Sequence, residues 1–378
     1  MSKERILFVL DALYVGGTET HVLGLAKELM EKNVFVAIVA RKEGSLLKSF
    51  EALNCPIHHI DFPRTLKLEK MHEKNLVEKI EEIIESEKIT LVHFHQTPSG
   101  YLSGKAAKNK EIPTIFTVHG TYYPNHEIRM LLEFTHTVIC VSPPLKEYIQ
   151  SFGIKTTYLV PNGINLAEYP LNKTYEELKK ELKIPKESIV VVYASRMAWA
   201  KAKVCTMFLR ACKDLKINVL PNLHVIVVGG GSRLNDIKNL AQYIEQLGNN
   251  SFVHIVGEQK NMHAYYSIAD CVVGTGRVAL EAMASNKTVL AVGNHGYFGI
   301  VTKENLDEAW AHYFGDHGST MPSSRHTIRD NLKKVLVDKE FLKLNGLQSR
   351  EIIEEKFNIQ KIADEMIKIY SETVKGGT

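Results

Sequence analysis

Arg196 and Lys201 follow directly on an apolar, β-branched run, Ile189 to Tyr193. Two cations at the end of a strand are equipment for an anionic ligand, and two further turns extend it. Gly229-Gly230-Gly231 follows the run Leu223 to Val228, and Gly274-Thr275-Gly276 follows Cys271 to Val273. Where a strand ends in glycine and a helix begins, backbone approaches an anion closely and the positive end of the helix points at it. A helix opening near Arg277 would do this, with Gly274, Thr275 and Gly276 offering backbone N–H groups and a hydroxyl. The ligand that fits is a diphosphate. Glu281, in the first turns of that helix, brings a carboxylate of the kind that takes hydrogen bonds from a ribose. Singly, each feature has a plainer reading: Arg196 and Lys201 as a solvated surface pair, the glycines as ordinary strand-end turns. Their order within one array favours a nucleotide-diphosphate site made by Arg196, Lys201, Gly230, Gly231, Gly274, Thr275, Gly276 and Glu281.

The first half carries a second set. Gly16 and Gly17 separate the run Ile6 to Leu10 from Thr18 to Glu31, where Val22, Leu25, Ala26, Leu29 and Met30 recur at helical spacing. The two glycines allow positive φ and close approach, and Thr18 can cap the helix, so this turn faces a phosphate or a sugar, or is a plain connection. His119 ends the run Thr114 to Val118 and precedes Gly120, which puts an imidazole at the carboxyl edge of a sheet; a core histidine is the alternative. His93 and His95 flank Phe94 and share one face of a strand. No third ligand of suitable spacing accompanies them, so packing or hydrogen bonding is favoured over a metal, and no metal is assigned.

These residues need a scaffold of parallel strands. Apolar runs at Val34 to Val39, Ile89 to Phe94, Thr114 to Val118 and Thr137 to Val141 alternate with helix-like segments such as Lys70 to Glu87 and Pro98 to Lys108. This is the doubly wound α/β pattern. After the helix start at Ser142-Pro143-Pro144, the turn Pro161-Asn162-Gly163 leads out of the first array, and from Ile189 the alternation restarts. Two domains of one class are expected, divided at 168/169, with residues 169–357 as the second. The tail reads as two helices, Gly346 to Lys356 and Gln360 to Thr373.

A formal net charge of +4 is too small to argue for nucleic acid, and no basic run is interleaved with aromatics. Cys55, Cys140, Cys205, Cys212 and Cys271 form no C-x-x-C pair, which suits a reducing cytoplasm. The run Ile6 to Leu10 is too short for a signal segment, and nowhere do 18 apolar residues follow one another. Lys67, Lys70, Lys74, Lys105, Lys108 and Lys110 make the first half locally basic. They read as a solvated surface or as a peripheral contact with anionic lipid headgroups on the inner face of the membrane.

The Arg-to-Lys spacing, the glycine turn and Glu281-Ala282-Met283-Ala284 resemble the nucleotide-sugar site of retaining glycosyltransferases of family four, which have the GT-B fold. Gly16-Gly17-Thr18-Glu19, Val118-His119-Gly120 and Pro161-Asn162-Gly163-Ile164 extend the resemblance over nearly the whole chain. It implies two Rossmann-like domains facing each other across a cleft: an acceptor-side domain, 1–168, completed by a closing helix at 358–375, and a donor-side domain, 169–357. It also implies that His119 contacts the donor sugar near the transferred carbon. The co-substrate would be a nucleotide-diphosphate sugar with UDP as the expected carrier, the acceptor a glycan, a lipid-linked carrier or a small molecule, and no other cofactor is implied. No Asp-x-Asp occurs, which favours metal-free chemistry with Arg196 and Lys201 on the leaving diphosphate. Two positions depart from the family pattern: Val273 stands where an acidic residue usually contacts the sugar, and Ala200 where a Glu usually precedes the diphosphate lysine. A nucleotide-sugar-binding pseudoenzyme and a sugar-nucleotide epimerase on the same fold are the alternatives to a transferase. A glycoside hydrolase is weaker, because no two acidic residues sit at matching strand ends.

Overall fold

The structure is a computed structural model that describes residues 4–154, 157–173, 175–248 and 251–376. Its β-branched runs form two sheets. The first holds β1 (Arg5–Val9), β2 (Phe35–Ala40), β3 (Ile57–His59), β4 (Leu91–Phe94), β5 (Thr114–Val118), β6 (Thr137–Cys140) and β7 (Thr157–Leu159), in the order β3-β2-β1-β4-β5-β6-β7 and all parallel. The second holds β8 (Ile189–Ala194), β9 (Leu223–Val228), β10 (Val253–Gly257), β11 (Cys271–Gly274), β12 (Thr288–Gly293) and β13 (Gly296–Ile300), in the order β10-β9-β8-β11-β12-β13. Only its β12–β13 pair is antiparallel.

Parallel neighbours need crossover helices, and helices on both faces bury both faces of a sheet. Successive residues of β1 therefore enter different cores, Leu7 and Val9 on one side, Ile6 and Phe8 on the other. In β8, Val190 and Val192 oppose Val191 and Tyr193 in the same way. Each such buried side chain stabilises the fold by roughly 1.5–3 kcal/mol.

The chain divides into two compact units, one running to Gly163 and resuming at Asn358, the other Ile164–Phe357. The division read from the sequence lies a few residues further on, because Ile164 is already buried in the second unit's core beside Tyr169. Ile164 N–H donates to the carbonyl of Phe357 at 2.7 Å, so the outgoing and returning strands of chain meet. The last helix, Ile359–Gly376, lays Ile362, Met366, Ile369 and Tyr370 against Val22, Leu25 and Leu29 of the helix Gly17–Glu31. The preceding helix, Lys339–Lys356, begins earlier than expected because Asp338 caps it, accepting from Phe341 N–H at 2.9 Å.

Two local expectations are corrected. Thr18 is not the cap of the first helix, which begins one residue earlier; Gly16 occupies the cap position with no side-chain bond. Neither Gly16 nor Gly17 has positive φ. Of the first half's lysines, Lys105 pairs with Glu73, Lys74 with Glu78 at 3.6 Å, and Lys110 with Glu81 at 3.9 Å.

Candidate active site

In the second sheet, β9 and β10 lie to one side of β8, while β11, β12 and β13 lie to the other. The loops after β8 and β11 leave in opposite directions, and the crevice beyond their carboxyl ends is where doubly wound sheets bind ligands. Arg196 is exposed in the loop after β8. Lys201 lies in the first turn of the helix Trp199–Asn218 and donates to Asp316 Oδ1 at 3.1 Å. The loop is pinned by its backbone: Met197 N–H donates to Gly230 O at 2.7 Å, and Arg233 N–H to Met197 O at 2.8 Å.

The glycine turn works through this contact. Gly229 and Gly231 have φ of +135° and +144°. A Cβ on Gly229 would lie 1.9 Å from the carbonyl oxygen of Ser195, and one on Gly231 2.5 Å from that of Met197. Both glycines are required to seat the Arg196 loop, whereas Gly230 has a negative φ and supplies the carbonyl that accepts from Met197.

After β11, Gly274 allows Val278 to close over the strand end: a Cβ there would be 2.4 Å from Val278 Cγ1. Thr275 donates its hydroxyl to Asp316 Oδ1 at 2.9 Å. Gly276, at φ +53°, starts the helix Arg277–Ala284, whose first N–H groups have no partner within the helix. Glu281 is buried; it accepts from Arg277 Nε at 2.8 Å and from the Tyr266 hydroxyl at 3.2 Å. The Tyr169 hydroxyl also bonds this carboxylate, so three side chains hold Glu281 in place. Val273 is fully buried, paired with Tyr193 and Leu290, and faces the core.

Asp316 escaped the sequence reading. Burial pushes its carboxyl up, but the charges of Lys201 and His317 and the bonds from Lys201 and Thr275 outweigh that and hold it below the usual range. The only sequence signal was an acid bracketed by Gly315 and Gly318, with no strand-like run before it.

In the first unit the strand order turns between β1 and β4. The loop after β1 is organised by Asp11, whose N–H donates to Gln96 Oε1 at 2.7 Å and whose Oδ1 accepts from Ser99 N–H at 3.0 Å. Gln96 in turn donates to Glu19 at 2.7 Å. A Cβ on Gly16 would meet only the carboxylate end of the Glu19 side chain, 2.3 Å from Oε2, while the space beside Gly17 is open.

His119, just past β5, faces three other imidazoles. His95 Nδ1 is 3.0 Å from His119 Nε2, the His93 and His95 rings are 4.2 Å apart, and His21 lies 5.6 Å from His119. His93 is bonded to Thr117 and Tyr370 at 2.7 and 3.0 Å. Burial, reinforced by neighbouring imidazoles, holds His93 and His95 far below their ordinary range, so both are neutral. His95 Nε2 is buried without a hydrogen-bond partner. One proton is shared between His95 Nδ1 and His119 Nε2, so the two rings fix each other's tautomer. Among the described residues no group of three His, Cys, Asp or Glu side chains is disposed to hold a metal ion.

Residues 15–168 match the Glycosyltransferase Family 4 model, and residues 174–316 the Glycosyl transferases group 1 model. The chain belongs to the family-four, group 1 glycosyltransferases. It is similar to the alpha-monoglucosyldiacylglycerol synthase of Streptococcus pneumoniae, at 22% identity over 85% of this chain and 79% of that protein. Among solved structures, a glycosyltransferase from Rickettsia africae superposes with TM-score 0.80, at 21% identity over 99% of this chain and 100% of that one. Anabaena HepE, solved in complex with UDP-glucose, superposes with TM-score 0.76, at 18% identity over 97% of this chain and 99% of that one. The fold is GT-B, and the chain is a glycosyltransferase. No helix among the described residues is long and apolar enough to cross a membrane.

Proposed function

We propose that this glycosyltransferase moves a hexose from a UDP-linked donor to a hydroxyl of a glycan, a lipid-linked carrier or a small molecule, with retention of the anomer and without metal. The observation that carries this reading is the convergence of Arg196, Lys201 and the start of the helix Arg277–Ala284 at the switch point between β8 and β11. As the bond between the anomeric carbon and the diphosphate breaks, its electron pair goes to the diphosphate oxygen, where the two cations and the helix N–H groups stabilise it. The acceptor oxygen bonds to the anomeric carbon on the face the diphosphate leaves, and its proton passes to the departing diphosphate. No second carboxylate is needed. Glu281 is assigned to the ribose and His119 to the sugar. The turns at Gly16, Gly17, Gly230, Gly231, Gly274, Thr275 and Gly276 give backbone access. HepE, crystallised with UDP and with UDP-glucose, supports UDP as carrier. The name of the pneumococcal relative supports a lipid acceptor.

The test is to screen nucleotide sugars by thermal shift, then assay transfer to an acceptor panel and determine the anomer by NMR. Turnover should persist in EDTA, because the leaving charge is met by fixed cations; loss restored by Mn²⁺ or Mg²⁺ overturns the metal-free part. Inversion overturns the mechanism. Tight donor binding without transfer to any acceptor overturns the reaction.

A further inference from the structure

A nucleotide sugar presents hydroxyls beside its diphosphate, and a site that reads the sugar needs an acceptor for those hydroxyl protons close to its cations. β11 supplies none, since Val273 is fully buried in the core. We propose that Asp316 is the carboxylate that reads the donor sugar's hydroxyls, brought to the end of β11 from a separate segment of the chain. This rests on the nucleotide-sugar site proposed above.

The geometry of Asp316 divides its two oxygens. Oδ1 is held from both sides of the switch point, by Lys201 Nζ at 3.1 Å from the β8 side and by the Thr275 hydroxyl at 2.9 Å from the β11 side. Oδ2 receives no hydrogen bond among the described residues, and His317 Nε2 lies 3.9 Å from it. The side chain as a whole is 24% exposed. Gly276 leaves room beside Oδ2: a Cβ on it would stand 3.0 Å from Oδ2 and 3.1 Å from Tyr313 Cε1. An ionised carboxylate accepts a sugar hydroxyl in a charge-assisted hydrogen bond, and Lys201 beside it keeps it ionised while contacting the diphosphate. Recognition of sugar and diphosphate is thereby joined through one ion pair. The competing explanation is that Asp316 merely orients Lys201. In that case its loss affects every diphosphate equally, with or without a sugar.

Calorimetry separates the two. Affinities for UDP, UDP-glucose, GDP and GDP-mannose are measured for the full chain as wild type, Asp316→Asn, Asp316→Ala, Arg196→Ala and Lys201→Ala, with thermal melts as a folding check. The isosteric Asp316→Asn keeps the test open if the alanine variant does not fold. Asp316→Asn should weaken binding of the preferred sugar nucleotide about tenfold, the scale of one charge-assisted hydrogen bond, while the matching bare diphosphate binds as well as before. Equal weakening of both ligands overturns the inference in favour of a lysine-orienting role, and no weakening of either overturns it outright. If neither Arg196→Ala nor Lys201→Ala alters diphosphate affinity, or wild type binds none of the four ligands, the site reading itself falls, and this inference with it.

Discussion

Lys201 and Arg196 enter the site in different electrostatic states, and that difference is measurable. Arg196 is exposed, whereas Lys201 already shares its charge with Asp316. Replacing either with alanine should cost roughly 1.5–3 kcal/mol of nucleoside-diphosphate affinity, the range for charge-assisted hydrogen bonds. Lys201→Ala should cost more, because it leaves Asp316 unneutralised in front of an anion. Adding Asp316→Asn to Lys201→Ala should therefore recover part of the loss; strictly additive calorimetric effects would show that the pair is not coupled in this way. A second expectation concerns the imidazoles. His95→Phe removes the hydrogen-bond partner of His119 Nε2, so the ¹⁵N signature of His119 should shift and kcat should fall with little change in KM, as it should in His119→Ala. An unaltered tautomer in His95→Phe would mean that other contacts orient His119. Arg196 and His119 stand just past strand ends that their own sequence announces, and Lys201 and Glu281 lie in the helices that follow such ends, so all four were legible as residues. Asp316 was not, since only long-range contacts carry it to the end of β11.

At the scale of elements, glycines that look alike in sequence have opposite roles. Gly231→Ala forces a side chain into a left-handed backbone, 2.5 Å from the Met197 carbonyl, and should destabilise the protein by about 1–3 kcal/mol while disordering the Arg196 loop. Gly17→Ala meets open space in the first turn of a helix with ordinary φ, and should be neutral or stabilising by about 0.5–1 kcal/mol. Chemical denaturation of the two variants tests both, and equal stabilities would refute the contrast. The same scale explains what the sequence could carry. β1, β2, β4, β5, β8 and β9 are buried on both faces and so appear as continuous apolar runs. β3 and β7 have three residues each, too few for a pattern to emerge, and β13 is interrupted by Gly296 and Gly299, both with positive φ. Val273 was read as a lost ligand-binding position, yet strand register turns it into the core, a fact visible only once the pairing with Tyr193 and Leu290 is known.

Over the whole molecule, both units bury imidazoles in neutral form, and this fixes how stability responds to acid. In the first unit burial holds His93 and His95 well below their ordinary range. In the second, burial lowers His224 and His317 to about 4, assisted at His224 by the charge of Lys216 and opposed at His317 by Asp316. All four have folded values below the unfolded value near 6.5, so below that pH the unfolded chain binds more protons than the folded one. Their contribution is therefore fully present at neutral pH and is lost as pH falls from about 6.5 toward 4, at up to about 1.4 kcal/mol per pH unit for each group. Carboxylates that are stabilised as anions, Asp316 among them, add their own loss only at lower pH. Melting temperature should accordingly begin to fall between pH 6.5 and 5.5, before ordinary carboxylates titrate. Because the buried histidines are distributed over both units, a transition assigned to either should move. His224→Gln should flatten the response of the second unit alone, since it removes one of its titrating groups and leaves the first unit's histidines in place. A melting temperature independent of pH between 7 and 5 would mean that these imidazoles take up protons without leaving the fold.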